Sequence, residues 1–174
     1  MPSASASTVN VRDFHNKLWL TRPRPGVDRM SSAWLIQRFI DPNARFVFTD
    51  IAKTPNAIPF DTHDAEFGHH GAHCTFETFC TRFDITDRAV EHIGRIVHDL
   101  DLKERTHAEA DTETIGRLVE GLRKTHGDDA ALLQSGIAMF EALYQSMSET
   151  AAPPTAKRSR ARVQRRARGR RRKS

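Results

Sequence analysis

The 174-residue chain has only two cysteines, Cys74 and Cys80, and they do not form a C-x-x-C pair. Two cysteines cannot build a disulfide framework, so a reduced, cytoplasmic state is the simpler expectation. No run approaches the roughly 18 consecutive apolar residues of a membrane-spanning helix, so no membrane partner is expected. The N-terminus, MPSASASTVN, is small and polar and lacks the apolar segment of a secretory signal. No H-E-x-x-H motif and no internal repeat is present. A chain of this length supports one domain with a real core and little more.

Acidic residues are missing altogether from 151–174. Of the 27 Lys and Arg, 11 fall in that segment, leaving 16 against 22 acids elsewhere, a net of −6. The overall +5 thus averages an acidic body and a cationic tail. The tail has no hydrophobic periodicity and cannot fold alone. Arg165, Arg166, Arg170 and Arg171 stand in it, and arginine-rich arms contact nucleic-acid phosphates and other polyanions. With no aromatic residue to stack on bases, such contact is expected to be non-specific. The organisation read from composition is a disordered extension over 1–14, a folded domain over 15–149 and a disordered Arg-rich tail over 150–174.

The body alternates first and then turns helical. Leu18–Thr21 and Arg45–Thr49 read as strands, and Ile58-Pro59-Phe60 as a short apolar piece. Ser31 or Ser32 is the expected cap of a helix running through Phe39, stopped by Asp41-Pro42-Asn43. Thr75 is the expected cap of a helix with Phe76, Phe79 and Phe83 facing the core. Further helices follow from Thr86 or Asp87, from about Thr112 to Lys124, and from Asp128 onward, each with an apolar face. Strand–helix–strand at the start permits one parallel βαβ unit. The fold class is α/β (α+β): a small, partly parallel sheet in the first half and a helix-rich second half, in a single domain.

Ligand-type side chains crowd one segment. Asp61, His63, Asp64, Glu66, His69, His70, His73, Cys74, Glu77 and Cys80 all lie between Pro59 and Cys80. Imidazole, carboxylate and thiolate bind zinc, iron or nickel and also perform acid–base chemistry. Glycines flank His69 and His70, freeing the backbone to aim them apart. The candidate metal ligands are His70, Glu77, His98, Glu66, His69 and Asp101, with one carboxylate orienting an imidazole; the expected cofactor is a divalent transition metal such as zinc, iron or nickel. Cys74, just ahead of a helix, is a candidate redox thiol with a lowered pKa or a small buried hydrophobe. Arg22 and Arg29, placed before a helix beginning near Ser31, make a candidate oxyanion site, since guanidinium forks and helix N-termini suit tetrahedral anions. An Asp28–Arg29 ion pair holding the turn is the structural alternative.

Several ordered motifs resemble a known family: W-L-T-R-P-R-P-G-V-D-R (19–29), W-L-I-Q-R-F-I-D-P (34–42), P-F-D (59–61), E-F-G-H-H-G (66–71), C-T-F-E (74–77) and I-V-H-D-L-D (96–101). Together they are similar to the C-terminal domain of the chromate-resistance protein ChrB, over roughly Trp19 to Met147. The resemblance implies association with chromate-resistance operons and, for full-length members, chromate-responsive regulation of transcription. Full-length members carry a further N-terminal domain. Eighteen residues precede the first motif here, too few to hold it, so a regulatory role is not implied for this chain. The leading expectation is a cytoplasmic accessory protein that binds or senses a metal ion or oxyanion. A small metal-dependent or redox enzyme acting at the His/Glu/Cys cluster is the alternative, and a non-specific nucleic-acid binder acting through the tail is a third reading.

Overall fold

The computed structural model describes residues 9–49, 54–63 and 65–148. The arginine-rich tail, with Arg165, Arg166, Arg170 and Arg171, lies outside the described residues. The strands are β1 (Leu18–Thr21), β2 (Arg45–Phe48) and β3 (Ile58–Pro59). The helices are α1 (Val27–Leu35), α2 (Thr75–Arg82), α3 (Arg88–Asp101), α4 (Thr112–Thr125) and α5 (Asp129–Met147). The sheet is parallel throughout, in the order β2-β1-β3, with Trp19 opposite Phe46 on one side and Ile58 on the other. The chain is a mixed α/β domain with its sheet in the first half and its helices dominating the second, as its patterning implies.

The apolar patterning explains the packing. Trp19, Trp34, Phe60, Phe67, Phe76, Phe79 and Phe140 are fully buried. Each contributes about 1.5–3 kcal/mol from burial alone. Phe67 stacks on Phe79 with ring centroids 4.9 Å apart. Helix α1 is wrapped by α5, α2 and α3, so the helix after β1 is central rather than peripheral. Where it crosses α5, an added Cβ on Gly136 would lie 2.5 Å from Met30 Cγ; glycine is what lets the two backbones approach.

Asp41 ties the start of the sheet together. Its buried carboxylate accepts from Asn16 N at 2.8 Å, Lys17 N at 2.9 Å and Trp19 Nε1 at 3.1 Å. These three bonds favour its charged form over the cost of burial and hold its pKa below the ordinary value. The Asp41-Pro42-Asn43 stop is thus also a tertiary anchor.

Two local expectations are corrected. Within the 1–14 extension, Val11–Phe14 form a 3-10 turn, and Phe14 packs edge-on against Phe83 at 5.0 Å. Phe14, with Val9 and Val11, packs against the core and ties residues 9–14 to it. Helix α1 begins at Val27, not at Ser31 or Ser32, with Gly26 as its extended N-cap, and it ends in a π-turn over Ile36–Ile40. Both serines are buried inside the helix: Ser31 Oγ donates to the Asp28 carbonyl at 3.0 Å and Ser32 Oγ lies 3.4 Å from Asp28 Oδ1. Serine hydroxyls satisfy themselves this way within a helix as readily as they cap one.

Candidate functional site

The topology marks one place on the molecule. From β1 the chain crosses through α1 to β2 on one side of β1, then returns to β3 on the other. The carboxyl ends of β1 and β3 therefore lie at the point where the winding reverses. In open parallel sheets this is where the crevice forms and ligands bind. Arg22 follows β1 directly, and Phe60 and Asp61 follow β3.

Four more segments converge there. The first turn of α1 supplies Asp28 and Arg29, the G-H-H-G loop supplies His69, the start of α2 supplies Thr75, and the last residue of α3 is Asp101. His69 Nε2 lies 3.2 Å from Asp28 Oδ2, 3.2 Å from Asp101 Oδ2 and 3.5 Å from Asp61 Oδ1. Three carboxylates from three separate elements thus surround one imidazole nitrogen. Ligand atoms held about 2.0–2.2 Å from a common ion stand roughly 3–3.5 Å apart around a tetrahedron or octahedron. The spacing here is of that size, and the ligand atoms of Asp28, His69 and Asp101 all lie within 4.8 Å of one another.

Two of the three carboxylates, Asp28 and Asp61, are aimed by a second set of bonds. Asp28 is almost wholly buried and accepts from the α2 amides of Thr75 and Phe76, both at 2.8 Å. It serves as a through-space cap of α2, satisfying two of the donors a helix start leaves open. Asp61 has a left-handed backbone, φ 45°, uncommon for a residue other than glycine. Its Oδ1 accepts from Thr75 Oγ1 at 3.2 Å, while its Oδ2 faces Arg29 Nε at 2.9 Å and Arg22 at 3.2 Å.

The electrostatics are those of crowded negative charge. Burial, and then the charge of Asp28, push the Asp101 carboxyl up to about 6. The same two causes raise Asp61, against the pull of Arg29 and Arg22. The hydrogen bond to Asp28 raises the His69 pKa; burial opposes this, and the charges of Asp28, Asp101 and Asp61 reinforce it. The Asp61 and Asp101 carboxyls and the His69 imidazole thus hold their protons more tightly than the same groups free in water. A divalent cation can take the place of those protons.

The other sequence candidates are dispersed. Glu77 and His98 do meet: His98 Nδ1 lies 3.0 Å from Glu77 Oε2. His70 is not with them; it is exposed, its Nε2 lies 2.9 Å from the Glu66 carbonyl, and its backbone pairs with that of His73. The Glu66 carboxylate is bound to Arg82. Of the expected metal ligands, His69 and Asp101 thus form one cluster, Glu77 and His98 another, and His70 and Glu66 belong to neither. The expected convergence of His70 with Glu77 and His98 fails because the glycines around the histidine pair turn His69 inward and His70 outward.

Of the oxyanion trio, Arg22 and Arg29 come together on Asp61 Oδ2, and Ser31 does not join them. Ser31 is buried in α1, and Arg29 is held by Asp61 and by the carbonyls of Arg22 and Pro23 at 2.9 and 2.8 Å. Arg29 pairs with Asp61 rather than with its neighbour Asp28. Only Arg22, 58% exposed, faces outward. It lines an open depression of about 630 Å³ together with Asp61, His63, Gly68, His69 and His70.

Of the two readings of Cys74, the redox thiol with a lowered pKa is corrected and the small buried hydrophobe is what the fold contains. Cys74 is the N-cap of α2, its amide donating to Glu77 Oε2 at 2.9 Å. The thiol is fully buried, and burial, with Asp28 and Glu77 nearby, drives its pKa up. Position ahead of a helix does not activate a thiol that water cannot reach. Cys80 is pushed up to about 12 for the same reason. Sequence reading also passed over Asp28 and Asp61 as ligands. The signal for them was positional: Asp61 follows β3 by two residues, and Asp28 lies in the first turn of the helix that follows β1.

Fold and site define a small α/β domain that gathers three aspartates, one histidine and two arginines at the reversal point of a parallel sheet. Residues 19–147 match the family described as ChrB, C-terminal domain, and the chain belongs to that family. It is 33% identical over 153 residues to Protein ChrB of Cupriavidus metallidurans, an alignment covering 84% of this chain and 47% of that protein. The chain thus spans about half the length of the curated relative it matches. No solved structure matches it. Among the described residues, no helix is long and apolar enough to cross a membrane.

Proposed function

We propose that this chain is a cytoplasmic accessory protein associated with chromate resistance, and that it binds a divalent transition-metal ion at Asp28, His69 and Asp101, with Asp61 as a fourth oxygen donor. The observation that carries this reading is the convergence of three aspartates on His69 Nε2 at 3.2–3.5 Å. One imidazole with several carboxylates and no thiolate suits iron(II) or zinc better than a soft ion. The redox alternative built on Cys74 loses its support in the buried thiol. Metal analysis of tag-free protein tests the reading: His69→Ala and Asp101→Asn should each hold about one equivalent less than wild type. Equal metal content in all three proteins would overturn it.

Oxyanion recognition is kept as a second reading on one observation, the exposed Arg22 guanidinium beside the cluster. A chromate or sulfate ion entering the depression would meet Arg22 on one side and the bound cation on the other. Arg22→Ala should then abolish the rise in melting temperature that chromate or sulfate produces in metal-loaded wild type. An equal rise in both proteins would remove the anion from Arg22.

A further inference from the structure

We infer that the carboxyl end of α3 carries a second cation site, built from His98, His107, Asp99 and Glu104 and oriented by Glu77. It shares no ligand with the Asp28–His69–Asp101 cluster and does not depend on it.

The argument starts from His98, which is 8% exposed. Its Nδ1 lies 3.0 and 3.1 Å from the two Glu77 oxygens. Glu77 is itself immobilised, because its Oε2 accepts the Cys74 amide at the cap of α2. Donation of the Nδ1 proton to a fixed carboxylate sets the tautomer and leaves the Nε2 lone pair pointing away. Metal-ligating histidines are oriented in this way, with a carboxylate or carbonyl on the opposite ring nitrogen.

Around the ring, beginning at Nε2, stand further ligand types. Glu104 Oε2 lies 3.5 Å away. The His107 ring stands edge-on to the His98 ring, with centroids 5.0 Å apart at 78°. The Asp99 carboxylate completes the group, and the ligand atoms of His98, Asp99 and His107 fall within 4.8 Å of one another.

The loop after α3 is wound to bring these groups together. Asp99 accepts the amides of His107 at 3.1 Å and Ala108 at 2.8 Å, and its own carbonyl accepts Glu104 N at 3.0 Å. Lys103 and Ala108 turn the chain with φ of 57° and 50°. A proton on His98 Nε2 would answer Glu104 alone. A cation answers Glu104, His107 and Asp99 together. Two neutral imidazoles and two carboxylates, without a thiolate, suit zinc or another borderline divalent ion.

The test uses the full chain, stripped with a chelator and titrated with zinc, bound metal being counted after dialysis. Wild type should bind two equivalents. His107→Ala and Glu104→Gln should each retain one and bind the other at least about 10-fold more weakly. Both residues lie in an exposed loop, so neither change disturbs the core. Asp101→Asn should retain the equivalent that His107→Ala loses. Glu77→Gln, at the orienting carboxylate, should weaken that equivalent about 10- to 100-fold. Imidazole nitrogen NMR supplies a residue-level readout: zinc should shift His98 Nε2 while Nδ1 keeps its proton. A wild-type protein binding one equivalent that Asp101→Asn abolishes would overturn this site and leave the first intact. Zinc binding by His107→Ala indistinguishable from wild type would also overturn it.

Discussion

Replacing Asp101 by asparagine separates the two roles of the carboxylate cluster. The Asp101 carboxyl, ordinarily titrating at 3.8, is pushed up to about 6 by burial and by Asp28. Its pKa is raised, so the folded state binds more protons than the unfolded state between those values. Stability therefore falls as pH rises through that window and stays lowered above it. The full shift corresponds to about 3 kcal/mol. The side chain is 25% exposed, and solvent screening reduces this to about 1–2 kcal/mol. Metal-free Asp101→Asn should accordingly be more stable than metal-free wild type at pH 7 by about 1–2 kcal/mol, or several degrees in melting temperature. At pH 5 the difference should shrink, because wild-type Asp101 is then largely protonated. Added metal reverses the order: at 100 times its dissociation constant for the Asp101 site it should stabilise wild type by about 2.7 kcal/mol more than the variant. Thermal unfolding of chelator-treated and metal-loaded proteins at both pH values reads all four numbers. A metal-free variant less stable than wild type at pH 7 would show that Asp101 is there for its ion pair with His69, and the reasoning would fail.

Asp28→Ala should destabilise the metal-free protein by about 2–4 kcal/mol in urea unfolding, because it strands the amides of Thr75 and Phe76 at a buried helix start; a loss under about 0.5 kcal/mol would deny it the capping role. Gly136→Ala should cost about 1–3 kcal/mol, because its Cβ would lie 2.5 Å from Met30 Cγ where α1 crosses α5, and a neutral result in the same assay would mean Met30 repacks freely. His70→Ala should leave metal stoichiometry and melting temperature unchanged, since its exposed ring bonds the Glu66 carbonyl and not the carboxylate cluster; lost metal would return His70 to the site. Acidification through the depressed pKa of Asp41 should lower stability, since a carboxyl titrating below its ordinary value stabilises the fold only while ionised. Asp41→Asn should flatten that acid limb of the pH–stability curve, and an unchanged limb would assign it to other groups.

Much of the fold was legible in the chain itself, because local chemistry carries it. Asp87 and Asp128 cap α3 and α5 as side chains ahead of apolar faces, and β1 and β2 lie where their apolar runs indicate. The strand–helix–strand order permitted a parallel unit through α1, and β1 and β2 do pair in parallel. Capping and periodicity act within a few residues, so sequence displays them directly. The ligand-rich stretch was equally visible as composition, and the family is carried by short ordered motifs.

Which of those ligands meet was decided only in three dimensions. His69 and His70 are neighbours in the chain, yet one faces three aspartates and the other solvent; the turn geometry between Gly68 and Gly71 separates them. Asp28 looked like the partner of Arg29 beside it, but its carboxylate spans to α2, 47 residues away at Thr75. Cys74 stood at a helix start as expected, and burial rather than position set its chemistry. Convergence of Asp28, Asp61, His69 and Asp101 depends on the reversal of winding around β1 and on α3 ending beside it. Those are properties of how the elements pack, and no local spacing in the chain records them.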